Sequence, residues 1–79
     1  MRKLTADEKI ELIQDAILPH APLKLGTTLD EIDFDSLDAA SVAVMATENA
    51  DSGAVEVDER KIQRCKTVAD LIWLIWPKG

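Results

Sequence analysis

The chain has one cysteine, Cys65, and one histidine, His20. A lone cysteine excludes an internal disulfide framework and a cysteine-rich zinc site, and a lone histidine excludes a multi-histidine metal centre. No apolar run approaches the about 20 residues that a membrane span needs. There is no internal repeat and no low-complexity segment. The basic opening Met1-Arg2-Lys3-Leu4 leads into Asp7, Glu8 and Glu11 rather than an apolar segment, so it does not read as a signal peptide. A reduced, cytoplasmic setting is the default expectation. The most informative absence is of positive charge: from Leu25 to Glu59 there is neither Lys nor Arg. That stretch holds ten acids, namely Asp30, Glu31, Asp33, Asp35, Asp38, Glu48, Asp51, Glu56, Asp58 and Glu59. Such a segment repels nucleic acid and attracts a basic protein surface. Acidic runs also serve as solvated faces that keep small proteins dispersed.

What remains is an ordinary globular balance, 47% apolar and 30% charged over 79 residues, with a net charge of −6. The length accommodates one domain, residues 1–79, with a helical core over about 5–75. A domain of this size buries only about 60% of the surface its unfolded chain exposes, so a deep catalytic cleft between layers is not expected. Thr5-Ala6-Asp7-Glu8 has the form of a capping box. Ala6, Ile10, Ile13 and Ile17 follow at helical spacing, widened by Leu12 and Ala16, and Pro19 ends the helix near Leu18. Residues 20–28 read as a loop, which Leu23, Leu25, Leu29 and Ile32 pin to the core. A second helix begins at Asp35 or Ser36, with Asp35 as N-cap and Asp38 favouring the positive helix end. Leu37, Ala40, Val44 and Thr47 form one stripe of it, and Val42 and Met45 extend the apolar surface. Asn49, Asp51, Ser52 and Gly53 stop it. A short third helix is expected over about Asp58 to Gln63. Thr67-Val68-Ala69-Asp70 opens a last helix, buried through Val68, Leu71, Ile72 and Ile75 and ended by Pro77 and Gly79. The fold class is all-α: a small four-helix bundle, three main helices plus the short third, with a long loop after helix one.

The chemistry concentrates in Leu29-Asp30-Glu31-Ile32-Asp33-Phe34-Asp35-Ser36-Leu37-Asp38. A serine stands in the first turn of a helix, ringed by carboxylates, its hydroxyl exposed because Leu37 takes the inward direction. No glycine-rich nucleophile elbow surrounds Ser36, and the dense negative charge disfavours an oxyanion, so catalysis by this chain alone is a poor reading. Modification of Ser36 by another protein fits better. Hard cations would meet oxygen ligands here, but the spacing is not that of a dedicated calcium site, and no metal site is expected.

These residues resemble the acyl carrier protein family. The likeness rests on Asp35-Ser36-Leu37-Asp38 at the start of helix two, with Leu29 and Ile32 as the apolar pair before it. It continues through a helix of acidic and small residues, Val55-Glu56-Val57-Asp58, and Thr67-Val68-Ala69-Asp70-Leu71-Ile72, so that it spans about residues 5–75. The resemblance implies a right-handed four-helix bundle that is not an enzyme. It implies a 4′-phosphopantetheine group joined to Ser36 by a phosphodiester, whose thiol carries acyl intermediates as thioesters for fatty-acid or related lipid or polyketide synthesis. Asp35 is then the neighbour that positions the serine for the phosphopantetheinyl transferase (the holo-carrier synthase), Leu37 packs inward and meets partners at its edge, and Asp38 begins the acidic face. Partners would be acyl-transferring and ketosynthase-type enzymes with basic patches, and the chain a monomer. Asp35, Asp38 and Glu48 are the charged contacts expected on that face, and Leu37, Val42 and Met45 the apolar ones. A peptidyl or specialised-pathway carrier is an alternative within the class; an acidic helical adaptor without any arm is one outside it.

The sequence departs from the family where a glycine usually stands two residues before the motif's aspartate, a place taken here by Asp33. Ser41 replaces a commonly acidic position, Ala50 a bulky apolar one, and the stretch Asp51-Ser52-Gly53-Ala54 looks long. Ala39, Ala40, Ala43 and Ala46 either allow close helix packing or leave space for an apolar chain. Trp73 and Trp76 read as core or half-exposed packing residues of the last helix, with a partner anchor as the alternative for either, and His20 reads as solvated. Phe34 either covers the core or touches a partner. Cys65 lies between Arg64 and Lys66, an arrangement that lowers a thiol pKa, but with no second cysteine or base motif beside it the favoured reading is a structural or incidental thiol.

Overall fold

The computed structural model describes residues 3–77, and its regular elements are all helical. Helix α1 spans Ala6–Ile17, α2 Ser36–Glu48, α3 Glu59–Gln63 and α4 Val68–Ile75. Single 3-10 turns, Asp30–Ile32 and Ala50–Ser52, stand before and after α2. Among the described residues the only β pairing is an isolated antiparallel bridge between Thr28 and Thr67. The architecture is the all-α one expected, with a short third helix and a long loop after α1. The helix stop expected at Gly79 and the basic start at Met1-Arg2 lie outside the described residues.

The helix starts follow from their caps. Thr5 accepts from the Glu8 N–H at 3.2 Å while Glu8 accepts from the Thr5 N–H at 3.0 Å. Asp35 and Asp38 make the same reciprocal pair at the head of α2, and Thr67 and Asp70 at the head of α4. Each satisfies backbone donors that a helix start leaves unpaired, a gain of about 1 kcal/mol per cap. Asp70 also accepts from the Lys66 N–H; that bond foremost, then the Thr67 N–H, holds its carboxyl below the usual range. The Thr28 N–H and hydroxyl do the same for Glu31. Both groups are depressed in the folded state, so what they contribute is present above their unfolded pKa values and is lost as pH falls through the folded ones. Asp70→Asn with Glu31→Gln is therefore expected to flatten the acid limb of a stability-versus-pH curve below the ordinary carboxylate range. An unchanged limb would remove these two groups from the account.

The long loop is fastened to the C-terminal half. The Leu29 N–H donates to the Lys66 carbonyl at 2.8 Å, Val68 N–H to Thr27 at 2.9 Å, and Ala69 N–H to Leu25 at 3.0 Å. Gln14 of α1 accepts from the Leu23 N–H. Leu23, Leu29 and Ile32 are buried in the core with Ile13, Val42, Ile62, Val68, Leu71 and Ile75, whereas Leu25 stays 46% exposed.

Three side chains depart from the sequence expectations, and a fourth, Lys9, is buried without any sequence pattern to mark it. Lys9, on α1, is 6% exposed, and its ammonium lies 5.7 Å from the Trp76 ring centroid. A lysine stem covering apolar surface with its cation over an aromatic face explains that burial. Trp76 is 2% exposed, as a packing residue should be, but Trp73 is 67% exposed. Its helix buries Ile72, Ile75 and Trp76, which turns position 73 outward. On α2 the expected direction of Leu37 is reversed: it is 76% exposed and Val44 57%, while Ala39, Val42, Met45 and Ala46 are buried. Eight of the thirteen residues of α2 are apolar, so two different stripes share helical spacing and periodicity cannot choose between them.

Among the described residues two that are not glycine adopt left-handed backbone, Leu18 with φ 48° and Asp33 with φ 53°. Asp33 occupies the position where the resembled family carries glycine, and its conformation gives the reason a glycine suits it. Leu18 closes α1 and is 81% exposed, so replacing it removes little packing. The left-handed conformation costs an L-residue about 1–2 kcal/mol, against about 0.5–1 kcal/mol of extra chain entropy lost by glycine. Leu18→Gly should raise the urea midpoint, by a gain of about 0.5–1 kcal/mol. A lowered midpoint would show that Leu18 packs more than its exposure indicates.

Candidate functional site at the start of helix two

Ser36 is the first residue of α2, and its side chain is exposed. The loop before it is held tightly. Thr28 and Glu31 bracket the 3-10 turn, Asp33 turns the chain in left-handed geometry, and the Phe34 N–H donates to the Leu29 carbonyl at 3.1 Å. Buried Leu29 and Ile32 anchor this turn from below, and half-buried Phe34 packs against the core. Ser36 thus stands on a rigid base with its hydroxyl toward solvent.

The carboxylates beside it are engaged with backbone. Asp35 accepts from the Asp38 N–H at 3.0 Å, and Asp38 from the Asp35 N–H at 3.1 Å. Among the described residues nothing is hydrogen-bonded to the Ser36 hydroxyl, and the N–H groups of Ser36 and Leu37 remain unspent at the positive end of a 13-residue helix. A hydroxyl free to react, beside free N–H donors and a helix dipole, suits the attachment of an anionic group. His20, the one imidazole, is exposed in the loop after α1.

The expected partner residues divide by the face they occupy. Asp35, Leu37 and Glu48 are exposed and Asp38 is half-buried. Val42 has no exposure and is unavailable on the α2 surface, and Met45, 6% exposed, reaches it only as part of the wall of a cleft. Both are core residues, packed inward with Ala39 and Ala46. Val44, assigned to the other stripe, is the accessible one. It opens onto a cleft of about 490 Å³ between α1 and α2, lined by Leu12, Asp15, Ala16, Ala40, Ser41, Val44, Met45 and Glu48. Of the four alanines, Ala39 and Ala46 have no exposure, and Ala43 packs against the core. They serve close helix contact, and only Ala40 lines the cleft.

Ser52 is a second residue whose role the sequence did not signal. It is 5% exposed, accepts from the Trp76 indole N–H at 3.0 Å and donates to the Asn49 carbonyl at 2.6 Å. The Val55 N–H adds a bond to the Ile75 carbonyl at 2.8 Å, so the α2–α3 connection is tied to the end of α4. A serine beside a glycine, Gly53 at φ 91°, looks like a turn in sequence, and only the indole 24 positions later makes it structural. At Cys65 burial foremost, with the Asp70 charge, pushes the thiol up, so the lowering that Arg64 and Lys66 could have given is not seen. Among the described residues no group of three or more His, Cys, Asp or Glu is placed to hold a metal ion, and no helix is long and apolar enough to cross a membrane.

Compared with known proteins, the chain matches no family model, no curated relative and no solved structure.

Proposed function

We propose that this chain is an acyl carrier, non-catalytic in itself, with Ser36 as the attachment point for a 4′-phosphopantetheine arm. The observation that carries the reading is the exposed, unbonded Ser36 hydroxyl at the first residue of a capped helix, within Asp35-Ser36-Leu37-Asp38. When attached, the arm supplies a thiol that holds acyl groups as thioesters. The chain's own contribution is placement. Ser36 presents its hydroxyl for modification, the unspent N–H groups and positive end of α2 favour the phosphate, and the buried turn below keeps the site fixed. The charge of Asp35 and Asp38 is partly satisfied by backbone donors, which moderates its repulsion of that phosphate.

The acidic stretch from Leu25 to Glu59 supports recognition by basic enzymes, including the transferase that installs the arm and the acyl-transferring enzymes that use it. Opposite charge speeds encounter without demanding tight binding, which suits a carrier serving several partners. Leu37 and Val44 are the apolar contacts this reading places on the α2 face, with Asp38 and Glu48 as the charged ones. Fatty-acid, polyketide and peptidyl pathways all use carriers of this kind, and the reading is for the carrier role common to them.

Incubation with coenzyme A and a broad-specificity phosphopantetheinyl transferase tests it. One arm is expected by intact mass on the wild type and none on Ser36→Ala. The variant should keep its helical circular dichroism, because Asp35 and Asp38 still cap the helix. The modification rate should fall as salt rises, since exposed charges are screened beyond about 8–10 Å near physiological ionic strength. An unmodified wild type would favour the armless adaptor instead.

A further inference from the structure

We propose that the cleft between α1 and α2 is a docking groove for a helix of another protein, one whose apolar face is bordered by Lys or Arg. Leu12 and Ala16 of α1 face Ala40 and Val44 of α2 across about 490 Å³, within the roughly 300–1,000 Å³ typical of ligand sockets. Val44 is 57% exposed although Val42, two positions away, has no exposure. An apolar wall is thus left uncovered on a helix whose other apolar face is fully used.

The charge decides the occupant. Among the described residues Asp15 and Glu48 are the only charged groups lining the cleft, both are exposed, and no Lys or Arg lines it. An alkyl chain would cover the apolar wall and leave both carboxylates without a cationic partner, so it uses only half of what the cleft offers. A helix with leucine-like side chains flanked by lysine or arginine satisfies both features, in the helix-in-groove manner of recognition. The groove runs along α2 from Ala40 to Glu48, a rise of about 12 Å at 1.5 Å per residue, which is about two helical turns of a partner. Val44 and Glu48 also belong to the α2 face assigned to partners above; what the groove adds is its α1 wall of Leu12, Asp15 and Ala16, and its test does not require modification of Ser36.

The test therefore uses the 15N-labelled Ser36→Ala chain, titrated with a synthetic amphipathic helix bearing leucines on one face and lysines along its borders. Amide shifts are expected at Leu12, Asp15, Ala16, Ala40, Val44 and Glu48. Asp15→Asn combined with Glu48→Gln should raise Kd about tenfold, ~1.4 kcal/mol, with the remaining spectrum unchanged. A lysine-to-glutamate version of the peptide should not bind. Shifts centred on Asp35–Asp38 or around Trp73, equal binding by the double variant, or equal binding of the glutamate peptide would each overturn the proposal. So would concentration-dependent shifts at the same residues without peptide, which would seat a second copy in the groove.

Discussion

Trp76→Ala should destabilise the chain by about 3–5 kcal/mol, the largest loss expected of any alanine substitution here. Trp76 is 2% exposed, and its ring lies under the Lys9 ammonium while its indole N–H donates to buried Ser52. Removing a buried tryptophan costs about 3–5 kcal/mol through lost burial and cavity formation. The native total for a chain of this length is on the order of 4–12 kcal/mol. One substitution thus removes a large part of it, and the α2–α3 connection loses its tie to α4. Trp73→Ala, at a position 67% exposed, is expected to stay within about 0.5 kcal/mol of the wild type. Urea denaturation of the two variants decides the matter. Similar midpoints would mean that the two indoles are not distinguished as described. Ser52→Ala should fall between them, at about 1–3 kcal/mol, because the indole N–H is left without its acceptor.

The second large effect separates the two faces of α2. Val42→Asp puts a carboxylate where the side chain has no exposure, and Val44→Asp puts one where 57% of the residue is in contact with solvent. An uncompensated buried charge costs several kcal/mol, enough to abolish cooperative folding in a domain this small. The Val44 variant should retain a dispersed native spectrum. Circular dichroism and a thermal melt read both outcomes. If the Val44 variant unfolds and the Val42 variant does not, Leu37, Ala40 and Val44 form the buried stripe after all and the cleft beside them is closed.

That pair of valines also marks how far the sequence could be read. The helices were legible because their starts are chemical: Thr5 with Glu8, Asp35 with Asp38 and Thr67 with Asp70 are local pairs three residues apart. The inward face of α4, Val68, Leu71, Ile72 and Ile75, was named correctly, but with seven of its eight residues apolar the pattern did not show that Trp73 lies outside that face. α2 offers two stripes, and only its neighbours α1 and α3 select between them. The left-handed turn at Asp33 was visible as a missing glycine, though not its geometry. Lys9 and Ser52 were not legible. Their burial depends on Trp76, 67 and 24 positions away in sequence, and neither periodicity nor capping carries information across such distances. At the candidate site the sequence indicated Ser36 and its acidic surroundings. It misassigned Val42 and Met45, for the same reason that it chose the wrong α2 stripe.

The proposal for this chain depends on one oxygen atom. Peptide-level mass mapping of the wild type, after reaction with coenzyme A and the transferase, should place a single phosphopantetheine arm on Ser36. An arm on Ser41, Thr47 or Ser52, or no arm on any hydroxyl while a known carrier in the same mixture is fully modified, would contradict it.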